Sequence, residues 1–284
     1  MEHLRRGGNW TEVRIGWMNY DVPTFAEAVR LTLARATVTT IVVAPYFLVA
    51  GRFVTHDLRN AMAAARTAHP GVTFIEAQPL GTGADWLAPI ADLAAQASPL
   101  TTQTHAAYIA QTIATCEGKP RCPLRDDGFC SGEPEAPSAP APAVTVAPAT
   151  SDPAADPPVL LLLAHGSPRE AANVAVHELA HLLRESQRFA GVHTGFLDCA
   201  QPDIPAAAHA AATSGARSVI ALPFFLHTGR HVILDLPALL LAAAAHHPHV
   251  QLHLAPFLGS SPAIGPMLAA RAGAALSNLN PSAQ

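Results

Sequence analysis

The chain has 284 residues, half of them apolar and only 13% charged, with a formal net charge of -4. That is enough for two ordinary domains, each with its own core. It excludes the strongly basic face of a nucleic-acid binder, and the scattered Lys and Arg form no membrane-surface patch. The longest apolar runs, over 159–164 and 238–245, fall far short of the ~20 residues of a membrane span. The basic N-terminal residues have no apolar stretch behind them, so they do not read as a signal peptide. A cytoplasmic protein with mostly reduced cysteines is expected.

Taken in chain order, residues 1–115 form a first unit, 116–158 a linker and 159–284 a second unit. In the first, short apolar runs alternate with Ala- and Leu-rich helical stretches. The linker opens with Cys116, Cys122 and Cys130 and continues as a Pro/Ala-rich segment that cannot build a core. In the second unit the expected strands cover 159–163, 192–196, 219–223 and 250–255. Helices are expected over 169–188, 203–213, 230–246 and 261–276. This β-α-β-α order predicts an α/β fold, a parallel sheet flanked by helices. Ligands bind such sheets at the carboxyl ends of the strands.

The two units are copies. Residues 41–81 lie over 219–259 without a gap, with about 16 of 41 positions identical. The shared residues include Pro45/Pro223, Gly51/Gly229, Arg52/Arg230, Asp57/Asp235 and His69-Pro70/His247-Pro248. Upstream, 15–23 matches 194–202 with one residue of slip. Such similarity indicates duplication of a whole domain. The counterpart of 159–191 would begin roughly 20 residues before Met1. The first unit is therefore expected to lack its opening strand and most of its first helix, and to be the less stable one.

The chemistry-bearing residues lie in the second unit. Ala164-His165-Gly166-Ser167 follows a strand containing four leucines and puts His165 in the strand-to-helix turn. Gly166 frees the backbone there, and Ser167 is placed to cap the next helix. The strand over 219–223 leads to Gly229, Arg230 and His231, with His231 opening the following helix. Asp198, after the strand over 192–196, is a third candidate on the same edge. Two imidazoles and a carboxylate make a ligand set for Co2+, Fe2+, Ni2+ or Zn2+. The first unit has Phe53 where the second has His231, so the fold does not require the histidine.

The stretches VLLLLAHGSPRE, GFLDCAQPDI and VIALPFFLHTGRHVILDLP resemble the sirohydrochlorin chelatase family, the class II cobalto- and ferrochelatases. The resemblance covers the second unit and, more weakly, the first. It implies two similar lobes, the first degenerate, and insertion of Co2+ or Fe2+ into sirohydrochlorin or a similar tetrapyrrole, in cobalamin or sirohaem biosynthesis. It places the family's two histidines on His165 and His231 and its acidic ligand on Asp198, where the family more often has Glu. His165 and His231 would hold the metal or take the two pyrrole protons. Ser167, Arg169, Gly229 and Arg230 would face the carboxylates of the substrate through helix N-termini and guanidinium groups. The metal is a substrate, no nucleotide is implied, and the chain would act as a monomer or homodimer without nucleic acid or membrane.

Other signals compete. His177-Glu178-Leu179-Ala180-His181 has the spacing of a zinc-protease helix, but no third ligand follows. Cys116, Cys122 and Cys130 are candidate ligands for an iron–sulfur cluster or a zinc, though their spacing matches no C-x2-C framework. A metal carrier or sensor would use the same histidine edge without catalysis.

Overall fold

The computed structural model describes residues 10–19, 21–35, 37–49, 51–114 and 156–278. Cys116, Cys122 and Cys130, with nearly all of the expected linker, lie outside them.

The second unit is built on strand β4, Val159–Ala164, in which every residue is buried. A run of Leu with no polar alternation can only sit between two strands and beneath helices on both faces. β4 does so. It pairs in parallel with β5, Gly191–Phe196, on one side and with β6, Ser218–Pro223, on the other. β7, Gln251–Leu254, runs parallel to β6 on its far side. The strands match the expected positions to within two residues. Helix α5, Glu170–Glu185, packs on β5. Helix α6, Ile204–Thr213, starts from Asp203, whose carboxylate accepts the Ala206 N–H at 2.9 Å. It covers β4 and β5 with Ala207 and Ala211.

The expected helix over 230–246 is in two parts. His231–Asp235 forms a π-helical turn, and α7, Leu236–Ala244, continues from it. The first unit has the same device, a π turn at Phe53–Asp57 leading into α2, Leu58–Ala68. The π turn therefore belongs to the repeated scaffold.

The first unit holds a two-stranded parallel sheet, β1 (Thr40–Val43) with β2 (Thr73–Glu76). Helix α1, Phe25–Leu33, opens with a capping box in which the Thr24 side chain accepts the Glu27 N–H and Glu27 returns to the Thr24 N–H. Val29, Leu58, Met62 and Phe74 form the core. A single parallel bridge, Trp17 to Thr24, corresponds to the Phe196–Asp203 bridge of the second unit. Among the described residues, no strand beside β1 fills the place that β4 holds beside β6.

Packing groups the described residues differently from the repeat. The chain clusters into one unit made of the residues up to Asp85 together with those from Pro262 onward, and another running Trp86–Ser261. Helix α3, Leu87–Ala94, packs on β6 with Ile90 and Leu93 buried, and Trp86 meets the edge of Phe224 at 6.3 Å. A short strand β3, Ser98–Pro99, adds antiparallel to β7, and Leu100 joins the second core. Helix α4, Thr102–Ala114, follows in the same unit. Conversely, α8, Ile264–Ser277, packs on β1 and β2. By the repeat, α3 and α8 are equivalent helices; each lies on the sheet of the other copy. Repeat matching reports descent, whereas helices go where an apolar sheet face is uncovered.

Leu161 has no exposed surface and is central to the larger core. Leu161→Ala is expected to destabilise the protein by about 2–5 kcal/mol, read as a lower urea midpoint.

Candidate metal centre

Where β4 ends, the chain must leave a fully paired sheet. His165 is its first exposed residue. The turn is fixed by Gly166, which sits at φ +87, and a Cβ there would lie 1.8 Å from the Asp198 carbonyl oxygen. The β5 turn is stitched onto it by Leu197 N–H to the Ala164 carbonyl at 2.9 Å and Asp198 N–H to the His165 carbonyl at 2.8 Å. Ser167 does not cap the next helix as expected. Helix α5 starts from Arg169, whose N–H bonds the Ser167 Oγ at 3.1 Å. Buried Asn173 reaches back to hold Ser167, accepting its N–H at 2.9 Å and donating to its carbonyl at 2.8 Å.

The end of β6 is tied to β4 through Phe224 N–H to the Leu163 carbonyl at 2.7 Å. Six residues on, Arg230 and His231 open the π turn. The His165 and His231 rings stand edge to face, 5.2 Å between centroids. The expected convergence of these two histidines is what the structure has.

Each ring is oriented by an acceptor. His231 Nδ1 donates to Asp235 Oδ2 at 2.7 Å, and His165 Nδ1 donates to the Gly166 carbonyl at 3.2 Å. A carboxylate and a carbonyl accept only, so Nδ1 is the donor in both rings, and Nε2 is the atom that a neutral imidazole would offer to a metal. An imidazole nitrogen binds a divalent metal at about 2.0–2.1 Å, which puts two rings in tetrahedral directions ~5 Å apart at their centroids. The observed spacing fits that bite.

Repetition of Asp57 in the first unit marks Asp235 as a scaffold residue. It has both jobs. One oxygen pairs with Arg230 Nε at 3.4 Å, as Asp57 pairs with Arg52 at 3.7 Å, and the other holds His231. The i,i+4 spacing of His231 and Asp235 was the available signal. In the first unit the corresponding carboxylate takes a hydrogen bond from His56, and that bond with the Arg52 charge lowers the Asp57 pKa.

Asp198 does not join the pair. Its Oδ1 accepts the N–H of Cys199 at 2.7 Å, so the carboxylate closes its own turn, where Cys199 has φ +58. Among the described residues, no three His, Cys, Asp or Glu side chains cluster closely enough to hold a metal ion. Local desolvation and the Asp198 charge raise the Cys199 pKa, which disfavours the thiolate that a metal needs. Arg230, half exposed and paired to Asp235, and the Gly229 backbone lie beside His231; Arg169 and Ser167 lie beside His165.

The protease-like helix shows different chemistry. His177 bonds the Thr194 hydroxyl at 3.1 Å and sits edge-on to Phe196, while His181 pairs with Glu185 at 3.3 Å. A further contact was not foreseen. Pro237 has no N–H for the Ile233 carbonyl four residues back. That oxygen accepts instead from His105 Nε2 of α4, at 2.8 Å.

The CbiX family model matches residues 1–97 and 159–275, most of the chain. The chloroplastic sirohydrochlorin ferrochelatase of Arabidopsis thaliana is 32% identical over 85 residues, 30% of this chain and 38% of that protein. A sirohydrochlorin cobaltochelatase of Methanocaldococcus jannaschii is 35% identical over 81 residues, 28% of this chain and 57% of that protein. The matches thus span 38% and 57% of these relatives. The structure of SirB from Bacillus subtilis with Fe3+ aligns at a TM-score of 0.67 and 16% identity, over 99% of this chain and 88% of that chain. SirB from Bacillus subtilis subspecies spizizenii in complex with cobalt aligns at 0.63 and 14%, with the same coverage. At these identities the likeness is one of fold. No helix among the described residues is long and apolar enough to cross a membrane.

Gly166→Ala adds a Cβ that the Asp198 carbonyl does not admit. It is expected to unfasten the two turns, lowering the thermal midpoint by several degrees and weakening divalent-metal binding, measured by calorimetry.

Proposed function

The chain belongs to the CbiX family, and on that premise we propose that it inserts a divalent metal ion, Co2+ or Fe2+, into sirohydrochlorin or a closely similar tetrapyrrole. The observation that carries this reading is the His165–His231 pair, 5.2 Å apart and polarised by Asp235 and the Gly166 carbonyl. The names of the relatives supply the substrate class and the two metals. Ni2+ suits the same imidazoles. The reaction is placed in the cytoplasm.

Insertion exchanges two pyrrole N–H protons for one divalent ion. The ion is a substrate and has to be released to the macrocycle. Two neutral imidazoles suit that task, since they present lone pairs without a charge that would retain the cation. As the metal passes to the macrocycle, the Nε2 atoms become free to take the departing protons. Asp235 faces the His231 ring at 2.7 Å and holds it by Nδ1, which keeps Nε2 turned to the departing proton. Asp198 is assigned a place near the entering metal without direct ligation, adding negative charge from the adjoining turn. The substrate's carboxylates are assigned to Arg230 with the Gly229 backbone on one side and to Arg169 with Ser167 on the other. Arg230 has its guanidinium half exposed, so it can turn to a carboxylate while Asp235 keeps His231.

The test is the visible spectrum of sirohydrochlorin incubated with Co2+ or Fe2+ and the full chain. The expected outcome is insertion well above the protein-free rate, abolished in the His165→Ala/His231→Ala variant. Equal rates for wild type and that variant would sink the proposal. Asp235→Asn is expected to lower the rate about 10–100-fold, the usual cost of losing a carboxylate behind a metal-facing histidine, with the thermal midpoint nearly unchanged.

A further inference from the structure

A second group of imidazoles lies away from the His165–His231 edge. His209 is on helix α6, and His246, His247 and His249 are in the turn between α7 and β7. That turn feeds the start of β7, so it lies at the amino edge of the sheet. His165 follows the carboxyl end of β4, at the opposite edge.

His209 Nδ1 and His247 Nε2 are 3.0 Å apart, their rings 5.0 Å between centroids and tilted by 50°. His249 stands next to His247, 6.1 Å between centroids. Two nitrogens at about 2.1 Å from one octahedral metal, at right angles to each other, stand ~3.0 Å apart. In the metal-free chain the two nitrogens share a hydrogen bond, and their separation equals the spacing that two adjacent ligands would keep. His247 also rims a shallow apolar depression lined by Ala208, Ala212, Leu240 and Val250, which gives the ring a fixed floor.

The repeat supplies a control. His69 occupies the place of His247 in the first unit, so a histidine at that position belongs to the scaffold. The counterparts of His246 and His249 are Ala68 and Gly71. The clustering is thus a property of the second unit, beyond what the fold repeats.

We propose that the His209–His247 pair forms an auxiliary two-imidazole binding site for a divalent transition metal of the Ni2+, Co2+ or Zn2+ class, with His249 as a neighbour outside the ligand set. The ligand set is all imidazole and carries no carboxylate, which favours these ions over Mg2+ or Ca2+. Water fills the remaining positions. The proton now shared between Nδ1 and Nε2 moves to the far nitrogen of its own ring, so binding needs no net proton release.

The test uses Ni2+ alone on the metal-stripped full chain carrying His165→Ala/His231→Ala, so that its outcome is independent of the insertion reaction. Calorimetry is expected to find one remaining Ni2+ site, and Ni2+ is expected to raise the thermal midpoint. Adding either His209→Ala or His209→Gln should remove both the heat signal and the Ni2+-dependent rise. If no Ni2+ binds once His165 and His231 are gone, or if it binds unchanged when His209 is replaced, the proposal is wrong. In the otherwise wild-type chain, His209→Ala should leave insertion at saturating metal intact. That separates failure of this site from failure of the proposed reaction.

Discussion

The structure depends on one strand that is buried along its whole length. β4 offers six consecutive buried residues, four of them Leu. Each fully buried leucine contributes roughly 1.5–3 kcal/mol, and the strand keeps that gain only if both edges are paired and both faces are covered. β5 and β6 supply the edges and α5, α6 and α7 surround them. This constraint also sets where chemistry can happen. The chain leaves the sheet at Ala164, and the next residue, His165, emerges between the turns that end β5 and β6.

The proposed centre is open. Closed four-ligand sites hold a metal permanently, whereas catalytic sites keep coordination positions free. Two imidazoles with the Asp198 carboxylate turned into its own backbone suit an ion in transit. The negative charge behind the site comes from Asp235, which holds the ring of His231 while neutralising Arg230. One carboxylate thus links the repeated scaffold to the residue that differs between the copies.

The sequence made the strands and the two histidines legible, because burial leaves a run such as VLLLLA and a tight turn leaves a glycine. The contrast of Phe53 with His231 separated scaffold from chemistry. Asp198 lies in the expected turn with one carboxylate oxygen engaged by its own backbone. Its position on the correct edge follows from strand order, but its direction is decided by a bond to the Cys199 N–H that no spacing encodes. Asp235 was passed over because repetition made it look structural. The π turns replaced the start of an expected continuous helix, since hydrophobic periodicity barely distinguishes five-residue from four-residue closure. The exchange of α3 and α8 was invisible because equivalence in sequence does not say which copy of the sheet a helix covers.

That exchange changes what a piece of this protein can be. The half before the linker contributes α3, β3 and α4 to the unit that contains the paired histidines, and the other half returns α8 to the unit built on β1 and β2. The His105 bond to the Ile233 carbonyl fastens donated α4 to the turn that carries His231. A protease cut between residues 114 and 156 would therefore yield two interlocked peptides, each completing the other's core. Neither ancestral copy, excised at the linker, would still be a whole domain. Duplication followed by reciprocal lending has turned two units of descent into one inseparable unit of inheritance.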